Sequence, residues 1–298
     1  MANSITLFKK YIALLDEVYK AAAKTNELDG DPALAQAGAN ANEIIVPKIE
    51  MQGLGNYDRS KGYPNGDVTL TNETVKFNYD RGRAFNVDNM DNEETAGIAF
   101  GKLASEFIRT KTAPELDAFR FATYASASGI STVEAALEDG AAVIAALRAA
   151  TNTMDEAEVS DTQRYLFITP TLHGMVEDVD KTKSTNVMAR FEKVILVPQT
   201  RFYTKIDLKS GEDGQEMGGY EKNSAGKNIN FMVIHKPAVL QYPKHTVNKI
   251  ISPEENQTGD FWRFMFRAYG LADVYENKVK GIYLHANPTA AARISEKQ

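Results

Sequence analysis

Histidines, clustered carboxylates and glycine-flanked cations are the side chains in this sequence with chemistry to offer, and their spacing argues against most of it. The four histidines, His173, His235, His245 and His285, never stand at the short spacings that place two ligands on one helix face, and the chain has no Cys to complete a metal set. Each reads as a structural histidine. The missing Cys also removes disulfides, thiolate nucleophiles and iron–sulfur ligation. Asp88, Asp91, Glu93 and Glu94 form the densest acidic cluster. A calcium loop needs an oxygen ligand at alternate positions and Met90 occupies one of them, so capping of a following helix and interaction with its dipole account for these carboxylates. Gly226-Lys227 has the close of a phosphate loop, but Asn228 replaces the Ser or Thr that meets the metal and Glu221 replaces the leading Gly. Gly53-Leu54-Gly55 lacks the later glycine of a dinucleotide fingerprint, and there is no Gly-x-Ser-x-Gly elbow. Asp80-Arg81-Gly82-Arg83 presents two forked guanidiniums, which suit carboxylates of a neighbouring chain better than a free anion. No catalytic constellation emerges, so the expectation is a non-enzyme without metal or cofactor.

The elements that would position these groups are ordinary in composition. At 298 residues and 43% hydrophobic, the chain has enough apolar surface for a real core and is long enough for two lobes, or for one irregular domain with extended arms. The net charge is −6 and the basic residues are dispersed, which argues against a tight phosphate-gripping face. No apolar run is long enough to span a bilayer, and the first residues do not have the order of a signal peptide.

Residues 4–24 place Phe8, Tyr11, Ile12, Leu15, Val18 and Tyr19 at helical spacing behind Ser4, followed by an Ala/Asn/Gln/Gly-rich stretch too poor in large apolar residues to fold alone. From Ile44 the pattern turns strand-like, with Tyr63-Pro64-Asn65-Gly66 as the expected turn of a long, largely solvated hairpin whose return includes Val68, Leu70, Val75, Phe77 and Tyr79. Such a hairpin needs support from elsewhere. Asp91 and Glu94 have capping-box spacing ahead of a long helix through Leu103 and Phe107, kinked or broken near Thr112 to Pro114 and continuing to Tyr124. Ser131 and Glu134 repeat the capping-box spacing ahead of an Ala-rich helix through Val143 and Leu147. Arg164 to Pro170 reads as a buried strand entering a short helix. Later strands are expected at 194–197, 202–206, 229–235, 261–269 and 279–285, with a polar glycine-rich loop at 211–226.

Taken in order, these elements resemble the major capsid proteins of tailed bacteriophages with the Hong Kong 97-type fold. The resemblance is carried by the Tyr63-Pro64-Asn65-Gly66 hairpin, the return from Phe77 to Asp88, and the strand-to-helix passage Tyr165-Leu166-Phe167-Ile168-Thr169-Pro170. It covers nearly the whole chain through element order. It implies an α+β fold with an N-terminal arm (1–45), an extended loop (46–88), a peripheral domain with a spine helix (89–130 and 254–298) and an axial domain (131–253). It further implies self-assembly, as hexamers and pentamers, into an icosahedral head shell around double-stranded DNA held without sequence-specific contacts. The implied partners are a portal and a separate scaffolding or cement protein where one is used, since no long N-terminal scaffolding segment is present. The implied location is the virion, after synthesis in the host cytoplasm, with no membrane contact. Phe8, Tyr11, Leu15, Tyr63, Asn65, Arg81 and Arg83 are the candidate inter-subunit contacts. An encapsulin-like nanocompartment shell and, from a different class, a soluble α/β enzyme are the alternatives; a tail or adhesin-type protein would carry more repeated β-structure.

Overall fold

The computed structural model describes residues 23–30, 36–37, 43–90, 98–179 and 181–288. The expected contacts Phe8, Tyr11 and Leu15, and the carboxylates Asp91, Glu93 and Glu94, lie outside them. A two-residue strand β1 (Gln36–Ala37) adds to the edge of a hairpin formed by β2 (Glu43–Met51) and β3 (Val68–Lys76), which pair antiparallel along their whole length from Glu43↔Lys76 to Met51↔Val68. The next strand, β4 (Tyr79–Asp88), leaves this hairpin for another sheet.

The spine follows as α1 (Ile98–Phe107), a π-helical turn at Ile108–Thr112 and α2 (Ala113–Ala125). The disturbance expected near Thr112–Pro114 is present as a change of pitch, without a break in the helix. Pro114 has no amide hydrogen and its ring would press on the Thr110 carbonyl in a regular helix, so the ladder widens and the Ala113 amide reaches back five residues to the Ile108 carbonyl. Pro114 then sits in the first turn of α2, where its missing donor is harmless.

Beyond the spine come β5 (Ser131–Glu134), α3 (Gly140–Glu156), β6 (Arg164–Ile168), α4 (Pro170–Glu177), α5 (Lys181–Met188) and β7 (Lys193–Leu196). They are followed by the short hairpin β8 (Ile206–Leu208) and β9 (Tyr220–Lys222), then β10 (Ile229–His235), β11 (Val239–Ile251), β12 (Phe261–Val274) and β13 (Ile282–Ala286). A five-stranded sheet runs β5-β13-β10-β6-β7, parallel at β5/β13 and β6/β7 and antiparallel elsewhere. Both of its faces are covered, which is why Arg164–Ile168 is buried at every position. Leu166, Ile168, Phe231 and Val233 meet Val143, Leu147 and Met154 of α3, while Phe167, Met232, Ile234 and Leu284 meet Phe121 and Tyr124 of the spine, Leu28 and Phe202. A second sheet, β11-β12-β4, lays Phe264, Phe266 and Ala268 on Ile108 and Leu116 of the spine.

Several local expectations are overturned. Ser131–Glu134 is an edge strand and not a helix cap; the Ala-rich helix starts at Gly140, where the Asp139 carboxylate accepts from the Ala142 amide at 2.7 Å. A Cβ at Gly140 would fall 2.0 Å from the Met175 carbonyl oxygen, so only glycine lets α3 begin this close to α4. At 202–206 there is no continuous strand, because a 3₁₀ turn (Gln199–Arg201) delivers Phe202 into the core instead. The 13-residue β11 has no counterpart among the expected strands, and its Pro243 lacks a ladder donor. The proline is tolerated because β11 is an edge strand and the register shifts at Pro243/His245. Residues 282–286 lie inside the five-stranded sheet, and 239–251 pair with β12 beside the spine.

Candidate functional site

Among the described residues, the β2–β3 hairpin has little support from its own chain. Only its base has a core: Ile44 and Val75 pack on Leu240 and Leu271. Lys48 meets Glu276 at 3.2 Å, and the Tyr275 hydroxyl donates to the Pro47 carbonyl at 2.7 Å. Beyond that, Ile49, Met51, Val68 and Leu70 are exposed on the strands, and Leu54, Tyr57 and Tyr63 on the tip, with Leu54 fully exposed. The chain reverses at Asp58–Gly62, not at the expected Tyr63–Gly66. Asp58 Oδ1 accepts from the Ser60 amide (2.7 Å) and hydroxyl (2.6 Å), and Gly62 takes φ +80°. A carboxylate that closes its own turn outcompetes the proline-led turn further along. Tyr63 packs its ring near Tyr57, 4.9 Å between centroids, and Asn65 is exposed.

Arg81 and Arg83 lie elsewhere, on β4, at the side of a groove of about 1210 Å³. The groove is bounded by β4, by the spine from Leu103 through the π turn to Glu115, and by the 209–222 segment. Arg81 finds its carboxylate within the chain: Nε donates to Glu115 at 2.7 Å and Nη2 to the Gly219 carbonyl at 3.3 Å. Burial works against this guanidinium's charge, and the Glu115 bond outweighs it, holding the group above its ordinary range. Arg83 Nη2 donates to the Glu216 carbonyl at 2.7 Å. Gly211, at φ +84°, would bring a Cβ to 2.8 Å from Arg83 Nη1, so a glycine there clears the path of the guanidinium. Across the groove the Tyr220 hydroxyl donates to the Thr200 carbonyl at 2.8 Å, and burial pushes its pKa up to about 12.

A buried polar knot ties the segment 23–30 to the rest. Asp117, fully buried on α2, accepts from the Lys24 and Thr25 amides, the Thr25 hydroxyl (2.8 Å) and Arg201 Nη1 (3.1 Å). Arg120 donates to the Thr25 hydroxyl at 2.8 Å, and Gln241 on β11 donates to the Thr25 carbonyl and to Asp29 while accepting from Tyr124. The 23–30 segment is thereby fixed to the spine, to β11 and to the 199–201 turn at once. Sequence reasoning missed this knot, because no local pattern links Thr25 to Asp117.

The histidines do not converge. His285 is buried, stacks on Phe231 (4.9 Å, 21°) and has Nδ1 3.0 Å from Asn230 Nδ2; burial pushes its pKa down to about 4. His173 is 3.7 Å from Glu177, one turn away on α4. Among the described residues no group of three His, Asp or Glu side chains is placed to hold a metal, and no helix is long and apolar enough to cross a membrane. Lys227, the cation of the phosphate-loop remnant, is paired with Glu134.

No protein-family model matches the chain, and no curated protein matches it in sequence. Its fold is nevertheless shared. A structure from Gordonia phage Cozz superposes with a TM-score of 0.59 at 11% identity over 90% of this chain and 87% of that one. The capsid structure of cyanophage P-SCSP1u gives 0.54 at 11% identity, covering 86% of both chains. A virus-like particle from Pyrococcus furiosus gives 0.53 at 12% identity, over 90% of this chain and 98% of that one. At such identities the likeness is one of fold, and the fold is the α+β, Hong Kong 97-like one expected from the order of elements.

Proposed function

We propose that this chain is a structural protein that assembles with copies of itself, as hexamers and pentamers, into the icosahedral shell of a tailed-phage head enclosing double-stranded DNA. The observation that carries the reading is the hairpin. Seven large apolar side chains stand in solvent on a projection that, among the described residues, is anchored only at its base, and each would contribute about 1.5–3 kcal/mol if a neighbour covered it. A protruding surface of this kind suits the heterologous contacts by which identical subunits close a ring. The fold it shares with a capsid structure supports the same reading, and the net negative charge suits a lumen from which DNA must later be released.

In this reading Tyr63 and Asn65 on the hairpin tip, and Phe8, Tyr11 and Leu15 on the arm, contact neighbouring subunits. Arg81 serves its own chain through Glu115, and Arg83 lines the groove. The lobes are assigned by sheet membership: the hairpin is the extended loop, 79–130 with 239–274 the peripheral lobe, and 131–238 with 282–286 the axial lobe. A portal, and a scaffolding or cement protein, complete the partners, and the chain acts without catalysis or cofactor in the virion. The alternative reading, an encapsulin-like compartment with protein cargo, gains no advantage from the Pyrococcus furiosus virus-like particle, whose TM-score of 0.53 is below the 0.59 of the Gordonia phage Cozz structure.

Negative-stain electron microscopy of the purified chain, with and without residues 58–67, tests the proposal. Closed shells, tubes or capsomer rings that require those residues are expected. A uniform small oligomer indifferent to the deletion across salt and scaffold conditions sinks the shell reading, and particles filled with protein and free of DNA favour the compartment.

A further inference from the structure

We propose that the groove beside the π turn is a docking site for an acidic segment with apolar anchors, belonging to a separate protein that assists assembly. The inference rests on the shell reading for its setting, and on the groove itself for its chemistry. The lining is largely apolar: Phe85, Leu103, Phe107, Pro114 and Phe266 contribute to it, as does Met217 of the 209–222 segment, 91% exposed. Its border is positive. Arg81, Arg109 and Arg201 are matched by Glu115, Glu106 and Asp117, and Glu221 is taken by Lys209. Arg83, Lys111 and Lys222 have no carboxylate within ion-pair distance among the described residues; Arg83 reaches a carbonyl and Lys222 the Asn228 amide oxygen. A surplus of cations gathered round one apolar trough, on a chain whose overall charge is −6, calls for a partner of opposite sign.

Two other occupants fit less well. Nucleic acid would want a concentrated, unpaired basic face for its phosphates, but three of the groove's six cations, Arg81, Arg109 and Arg201, are already taken by carboxylates. A second copy's hairpin tip, residues 51–67, carries Asp58 and Asp67 against Arg59 and Lys61 and so brings no negative charge. The π turn that Pro114 imposes also borders the groove. Here the turn carries Arg109 and Lys111 at the groove.

The test is fluorescence anisotropy on the full, unassembled chain with a labelled amphipathic helical peptide, leucine on one face and glutamate on the other. Competitors are the same peptide with lysine for glutamate, oligothymidine, and the peptide of residues 51–67. Saturable binding of the glutamate peptide is expected, weakening tenfold or more in Arg83→Glu, in Lys111→Glu, which breaks no bond within the described protomer, and in Met217→Asp, with unchanged thermal midpoints. Absence of binding, equal binding of the lysine peptide, stronger binding of oligothymidine or of 51–67, or indifference to both charge reversals would overturn it. Shell formation by microscopy is a separate readout, so either proposal can fail alone.

Discussion

The five-stranded sheet and the β2–β3 hairpin are made of the same residue types and have opposite fates. β6 buries every residue from Arg164 to Ile168 and β10 every residue from Ile229 to Ile234. β2 and β3, equally rich in Ile, Val and Leu, bury only Ile44 and Val75. The difference is the second layer. α3, α4 and α5 cover one face of the large sheet, and the spine with Leu28 covers the other, whereas among the described residues nothing covers the hairpin beyond its base. Apolar content states that a surface must be covered, and only the arrangement of layers states whether the same chain or another one covers it.

Substitutions in the two regions test this contrast, and the largest effect belongs to the sheet. Phe231 is fully buried between α3 and Tyr283, so Phe231→Ala is expected to lower unfolding free energy by about 3–5 kcal/mol in urea titration. A loss under 1 kcal/mol would mean that the sheet is less tightly packed than it looks.

His285, on the same sheet, sharpens the contrast through pH. Its folded pKa of about 4 lies below the ordinary 6.5 because burial disfavours the cation. The unfolded chain therefore takes up a proton as pH falls through 6.5, while the native chain refuses it until about pH 4. Stability present above pH 6.5 is lost across that window, to the extent of about 3 kcal/mol. The difference between the wild type and His285→Gln should be flat above pH 7 and shrink toward pH 4; parallel curves would show that His285 titrates like an exposed histidine.

The smallest effect on stability is expected in the hairpin. Leu54→Ser should change unfolding free energy by no more than about 0.5 kcal/mol, because Leu54 is already in water, yet it should slow or abolish particle formation followed by light scattering. A variant that both unfolds more easily and assembles normally would erase the distinction between the two regions.

How much was legible depended on how local each signal was. Tyr165–Ile168 and Phe231–Ile234 announced themselves as apolar runs, and the solvated hairpin by its loose alternation. Ser131–Glu134 misled because its capping spacing is real but its backbone is drawn into an edge pairing with β13, and Asp139, closer to the helix, takes the cap. β11 had no counterpart among the expected strands, and the edge position that makes the lost donor of Pro243 harmless is not visible in one dimension. Arg81 had the right chemistry and a different partner: Glu115, 34 residues on, is nearer than any second chain needs to be. Asp117 gave no sign at all, as its partners are 92 and 84 residues away.

Its sequence alone determined that this protein is an α+β chain with a long helix disturbed near Thr112–Pro114, a buried strand running into a helix, and a hairpin with little core of its own. These are statements about periodicity and residue type, which neighbouring residues settle among themselves. Tertiary structure alone decided that β13 lies between β10 and β5, that Asp117 gathers the 23–30 segment, and that a positive, largely apolar-lined groove opens beside the π turn. Each joins segments far apart in the chain. Burial and charge pairing, which act through space, select such partners, and no short-range pattern encodes them.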